Sequence, residues 1–358
     1  MNAEAAAPDA LTTWISVKSM ETLQGPLAPS EIPPQPERLG NYRILRTLGV
    51  GGMGVVYEAR AEGSDDTVAL KTLLRLSPTG LFGFKQEFRR TATLSHPNLI
   101  SLYELSQDDG VWFFSMELVN GKQLLHHVWR GTSFPGAEVT VRRLTWVLPQ
   151  LLEALSFLHD NDVLHLDIKP SNVLVTPEGN IKLLDFGLSR VDSTVESGGL
   201  AVFAGTPGYM APEQIWGAHT KACDYYALGV TLFEAVTGQL PYLGPVRSAL
   251  LSKSRNPAPR VRDVNPDVPT ELALLIDGLL EREPSKRLSI ADARERLGLS
   301  EVITPRFSRS LRRAPELIGR TAELRTLADL FDQSRERTVI CHLVGDSGVG
   351  KSCILNEA

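Results

Sequence analysis

The chain has 358 residues, of which 42% are apolar and 22% charged, and its formal net charge is −5. That length holds about two domains with ample core-forming material, while the acidic balance argues against a general nucleic-acid surface. No apolar run approaches the roughly 20 residues of a membrane span, MNAEAAAPDA is not a secretory signal, and Cys223, Cys341 and Cys353 are too scattered for a disulfide or zinc framework. A cytoplasmic protein with neither membrane nor nucleic-acid partners is expected.

Residues 1–40 carry Pro8, Pro26, Pro29, Pro33, Pro34 and Pro36 among Ala, Ser and Glu. Proline at that density disfavours helix and central strand, so this segment reads as a flexible leader. From Tyr42 to Leu48 apolar and polar residues alternate as in a half-buried strand. Gly49-Val50-Gly51-Gly52-Met53-Gly54 follows, and then a second strand over Val56–Ala59. Glycines at 49, 51 and 54 permit a tight hairpin whose N–H groups can approach phosphate oxygens. A strand rather than a helix after Gly54 disfavours a dinucleotide-binding fold. Val68-Ala69-Leu70-Lys71 is an apolar strand ending in a lysine, and Phe84–Leu94 has helical spacing with Glu87 on it. Alone, Lys71 and Glu87 read equally well as surface charges.

Val111–Met116 is a β-prone run leading into Glu117-Leu118-Val119. Apolar residues at 144, 147, 148, 151, 152, 155 and 158 predict a helix over Leu144–Leu158. It delivers the chain to His165-Leu166-Asp167-Ile168-Lys169-Pro170-Ser171-Asn172, and Asp185-Phe186-Gly187 follows thirteen positions later. A carboxylate, an ammonium and an amide within eight residues supply what phosphoryl transfer needs: an acceptor for the attacking hydroxyl's proton, a cation, and oxygen ligands for Mg²⁺. Either piece alone could be a polar turn between buried strands. Gly205-Thr206-Pro207-Gly208-Tyr209 and Ala211-Pro212-Glu213 come next, then an apolar helix over Asp224–Val236 and, later, Arg287.

In this order and spacing, residues 42 to 299 resemble a protein kinase domain, specifically the serine/threonine branch. The resemblance implies an α+β, two-lobed kinase fold with a small β-rich N-lobe and a large helical C-lobe, over residues 41–299. It implies ATP and Mg²⁺ as cofactors, protein substrates, and autophosphorylation. Asp167 would orient the substrate hydroxyl, Lys169 would neutralise the γ-phosphate, and Asn172 and Asp185 would hold Mg²⁺. Lys71 would pair with the α- and β-phosphates and be held by Glu87, and Thr206 would bridge Asp167 and Lys169. Gly49, Val50, Gly51, Gly52, Met53 and Gly54 would cover the phosphates. Val56, Ala69 and Leu174 would sandwich the adenine, with Met116 as gatekeeper, beside the backbone of Glu117 and Val119, although these apolar residues could equally be plain core. Arg287 would pair with Glu213. Leu166 departs from the family, where an Arg at this place receives a phosphorylated loop residue. Activity independent of phosphorylation at Ser193, Thr194 or Ser197 is therefore expected. A pseudokinase scaffold is the alternative, but Lys71, Asp167, Asn172 and Asp185 are all present.

Beyond Leu299 the chain turns basic and proline-broken, which reads as a linker over 300–316. Residues 317–358 add a helix over Ala322–Phe331, a strand over Val339–Val344, and Gly345-Asp346-Ser347-Gly348-Val349-Gly350-Lys351-Ser352. This is the spacing of a P-loop, in which Gly345, Gly350, Lys351 and Ser352 would bind phosphate and its metal. It resembles the start of an AAA-type α/β NTPase domain, incomplete because six residues follow Ser352. Contact between the kinase and such an ATPase region is expected.

Overall fold

The computed structural model describes residues 35–51, 54–63, 65–74, 78–131, 133–186, 206–299, 321–333 and 341. Its first part is an antiparallel sheet of β1 (Arg38–Leu39), β2 (Tyr42–Val50), β3 (Val55–Ala61), β4 (Thr67–Leu73), β5 (Leu102–Asp108) and β6 (Val111–Glu117), in the order β1-β2-β3-β4-β6-β5. Strand side chains alternate between faces, and the two faces feed different cores. Val68 and Leu70 join Tyr42, Ile44, Tyr57 and Phe113 on one face. Ala69 and Leu73 join Met116 and Phe114 on the other. Helix α1 (Pro78–Thr91) covers that second face, with the rings of Phe84 and Phe88 at 5.8 and 5.5 Å from Phe114. It lies several residues earlier than the predicted Phe84–Leu94, because its apolar spacing reveals only the packed turns.

The sheet also begins earlier than the leader boundary at residue 40 allows. Leu39 pairs with Tyr42 and is 6% exposed, and the Gly40 N–H donates to Asp108 Oδ2 at 2.7 Å. A two-residue strand carries no periodic signal, so its partner across the sheet is what reveals it. Residues 1–34 of the expected leader lie outside the described residues.

The second part is helical: α2 (Leu124–Trp129), α3 (Ala137–Asp160), α4 (Lys221–Thr237), α5 (Val246–Arg255), α6 (Val261–Val264), α7 (Thr270–Leu279) and α8 (Ile290–Arg296). A small sheet of β7 (Lys122–Gln123), β8 (Val173–Val175) and β9 (Ile181–Leu183) sits with it, in the order β7-β8-β9. The seven apolar positions that predicted α3 are all buried. Helix α4 is buried nearly all round, as a central helix of a large lobe must be. Its Gly229 admits α7 closely, since a Cβ there would stand 2.9 Å from Leu279 Cβ. Helix α9 (Thr321–Gln333) matches the helix expected near the end of the chain. The linker at 300–316 lies outside the described residues, as do Gly345, Gly350, Lys351, Ser352 and, Cys341 apart, the strand before them. Among the described residues no helix is long and apolar enough to cross a membrane.

Burial of Leu39 yields a stability prediction. Leu39→Ala should lower the unfolding free energy by about 2–4 kcal/mol in urea titrations, whereas a free leader would give no change.

Candidate active site

The site forms where the loop after α3 crosses the N-terminal end of α4. Asp224, in the first turn of α4, is fully buried and accepts hydrogen bonds through both oxygens. Oδ2 takes the main-chain N–H of His165 at 2.9 Å and His159 Nε2 at 2.8 Å, and Oδ1 takes the N–H of Leu166 at 2.7 Å. These bonds hold Leu166 at φ +63°, a left-handed conformation that an ordinary side chain avoids. The Leu166 side chain is buried in the main core. Burial lowers the His165 pKa against the pull of Asp224, Asp167 and Asp185, which keeps the ring neutral. Its Nδ1 accordingly accepts the Asp167 N–H at 3.2 Å.

Asp167 is thereby presented at the cleft with both carboxylate oxygens engaged. Oδ2 accepts from Lys169 Nζ at 2.7 Å and from Asn172 Nδ2 at 3.0 Å. Oδ1 accepts from the main-chain N–H of Thr206 at 3.0 Å and from its hydroxyl at 3.1 Å. Lys169 Nζ also donates to Thr206 Oγ1 at 2.6 Å, so Thr206 stands between the acid and the lysine. Asn172 Nδ2 makes a further bond to the Asp167 carbonyl at 2.8 Å, which leaves the amide oxygen as the atom able to ligate a cation.

Asp185 adopts φ +56° after β9 and faces Lys71 of β4 at 2.7 Å, joining the two parts of the fold. Burial would raise its pKa, but the charge and hydrogen bond of Lys71, with Lys169 beyond, outweigh this and hold the carboxyl below its ordinary value. The partner expected for Lys71 was Glu87, and here the structure differs. Glu87 on α1 faces Arg90 at 3.5 Å, and its Oε1 has no hydrogen-bond partner. Arg90 in turn donates to the Asp162 carbonyl at 2.5 Å. A basic residue three positions along the same helix is a nearer partner than a lysine on a neighbouring strand.

The strand register places Val56, Lys71, Ala69 and Met116 on one face of the sheet, through the pairs Val56↔Lys71 and Ala69↔Met116. Leu174 lies in β8 of the other lobe, and the half-buried Val119 follows β6 on the way to β7. The Glu117 side chain is committed to Lys182 at 2.9 Å and to the Ser101 N–H at 3.2 Å. In the glycine hairpin, Gly49 and Val50 pair with Val56 and Val55, and the Gly51 N–H donates to the Gly54 carbonyl at 2.8 Å. Gly52 and Met53 lie outside the described residues. Gly54 has a steric reason that the motif does not state: a Cβ there would collide with the Thr72 carbonyl. Thr72 itself ties the hairpin down, since its Oγ1 accepts the Val55 N–H at 2.9 Å and donates to the Val55 carbonyl at 3.1 Å. Away from the cleft, Arg287 forms a two-pronged pair with Glu213 at 2.5 and 3.0 Å. Thr72 and Asp224 were missed as anchors because their partners, mostly main-chain atoms, are distant in sequence; a carboxylate opening an apolar helix was the one available signal.

A six-stranded sheet over a helical lobe, with lysine, aspartates and asparagine converging where they meet, defines a protein kinase fold. The family model described as the protein kinase domain matches residues 42–297, and the chain belongs to that family. The serine/threonine-protein kinase PrkC of Bacillus subtilis is 34% identical over 263 residues, covering 72% of this chain and 40% of that protein. The serine/threonine-protein kinase PknA of Mycobacterium tuberculosis is 34% identical over 258 residues, covering 69% of this chain and 58% of that protein. The chain thus spans about half the length of the curated relatives it matches. The crystal structure of a point mutant of the Mycobacterium tuberculosis PknI kinase domain superposes with a TM-score of 0.56 at 25% identity, covering 74% of this chain and 96% of that one. Both of these curated relatives are named as serine/threonine-protein kinases.

The collision at Gly54 gives a direct test. Gly54→Ala should displace the hairpin and weaken nucleotide binding about tenfold, equivalent to roughly 1.4 kcal/mol, in a titration with a fluorescent nucleotide.

Proposed function

We propose that the chain transfers the γ-phosphoryl group of ATP to serine or threonine hydroxyls of protein substrates, its own chain included. The observation that carries this reading is the closed cluster at Asp167, whose carboxylate is held by Lys169, Asn172 and Thr206 together. A carboxylate oriented in this way is placed to accept the proton of an attacking hydroxyl. Lys169, 2.7 Å away, is the cation for the charge that moves with the phosphoryl group.

The residues present fit Mg²⁺. Asp185 is kept ionised, Asn172 offers its amide oxygen, and two such hard ligands suit an ion that retains several waters. When bound, Mg²⁺ neutralises charge on the phosphate oxygens. Lys71 contributes a second positive charge at the same place and is the residue proposed for the α- and β-phosphates. The hairpin at Gly49, Val50, Gly51, Gly52, Met53 and Gly54 covers the phosphates with main-chain N–H groups. Val56, Ala69 and Met116 from one sheet face and Leu174 from the other lobe enclose the adenine. The Glu117 side chain is already used, so only the main chain at 117–119 is left to bind the base. The P-loop spacing at Gly345, Gly350, Lys351 and Ser352 supports a second phosphate-binding segment, a proposal that rests on sequence alone.

Asp167→Asn tests the proposed role. It should reduce kcat for transfer from γ-labelled ATP to histone by about 10³-fold with little change in KM for ATP. Equal transfer by both proteins would overturn the role. Leu166 generates a further prediction, because a buried leucine offers no charge to a phosphorylated loop residue. Replacing Ser193, Thr194 and Ser197 with alanine should leave kcat within about threefold of the parent. A loss of activity restored by phosphomimetic residues would contradict it.

A further inference from the structure

Lys253 on α5 is 1% exposed, and its ammonium is satisfied by main-chain carbonyls rather than by a carboxylate. Nζ donates to Pro207 at 3.2 Å, Gly208 at 2.9 Å and Met210 at 2.7 Å. Three carbonyls match the three donors of an ammonium. The rings of Tyr226 and Tyr242 stand 5.6 and 5.9 Å from it. Burial pulls the amine's pKa down to about 7, while the carbonyl dipoles favour the charged form that can donate to all three. Burying an ammonium is unfavourable unless it is well bonded, and an apolar side chain would fill the same space. The charge therefore points to what it holds.

What it holds is the segment that starts at Thr206, whose N–H and hydroxyl lie on Asp167. That segment is a turn closed by the Tyr209 N–H on the Thr206 carbonyl at 2.9 Å. Tyr209 also donates through its hydroxyl to Glu234 Oε2 at 2.5 Å. Lys253 supplies the remaining tether and gathers the carbonyls of 207, 208 and 210 to one point. It touches neither Asp167 nor Lys71.

We infer that Lys253 is a positioning residue for the phosphoacceptor protein: by fixing the main chain of 207–210, it sets the edge on which the substrate lies beside Asp167. The inference rests on the phosphoryl-transfer reading and adds to it the residue that governs engagement of the protein substrate. Lys253→Met in the full chain should raise KM for histone about tenfold. KM for ATP, and the slow turnover of ATP by water without histone, should stay within about twofold. Lys253→Gln, which keeps a donor group, should recover part of the loss; it also serves as the test variant if Lys253→Met does not fold. An unchanged KM for histone in a folded variant would overturn the inference, as would equal weakening of histone and ATP. A parent protein that transfers no phosphate would instead overturn the functional reading, and this one with it.

Discussion

The buried carboxylate of Asp224 is the constraint on which the site depends. Its three hydrogen bonds reach the end of α3 and two successive main-chain N–H groups of the loop that carries Asp167. A buried carboxylate is tolerable only with such partners, and the partners are held because leaving it unsatisfied would be unfavourable. The left-handed turn at Leu166 follows, and from it the direction in which Asp167 leaves the core. The remaining geometry is layered on that turn: neutral His165 beneath Asp167, and Lys169, Asn172 and Thr206 around its carboxylate.

A second set of contacts joins the lobes. Lys71 from the sheet meets Asp185 from the loop after β9, and Arg90 of α1 meets the turn at Asp162. Lys182, two residues before Leu184, pairs with Glu117 at the end of β6. The glycine hairpin is tied down by Thr72, next in sequence to Lys71, so one stretch of β4 anchors the hairpin and presents the lysine. The turn at 207–210 is fixed in the same manner by Lys253. In both cases a buried side chain on one element satisfies main-chain groups of another. Loops that carry function are thereby given the rigidity of the scaffold.

Much of this was legible in the sequence. The chemistry restricts residue type at fixed spacing, so Asp167, Lys169, Asn172 and Asp185 could be picked out, and the 3.6-residue period marked α3. The two-lobed fold followed from those signals together. What escaped depends on tertiary partners. The strand at Arg38–Leu39 is too short for a period and sits in a proline-rich stretch. Glu87 found Arg90 on its own helix, a choice between two cations that spacing does not decide. Thr72 and Lys253 act through main-chain atoms, and Asp224 does so in two of its three bonds; main-chain partners leave no pattern in a sequence.

The most direct test of this account is the rate of phosphoryl transfer by Asp224→Asn. The amide keeps the shape but has one acceptor oxygen, and it turns an N–H₂ group towards donors. If Asp224 imposes the catalytic turn, the folded variant should bind ATP normally and lose about 10²-fold in kcat. A folded Asp224→Asn protein with undiminished kcat would contradict the account, because the geometry at Asp167 would then have another origin.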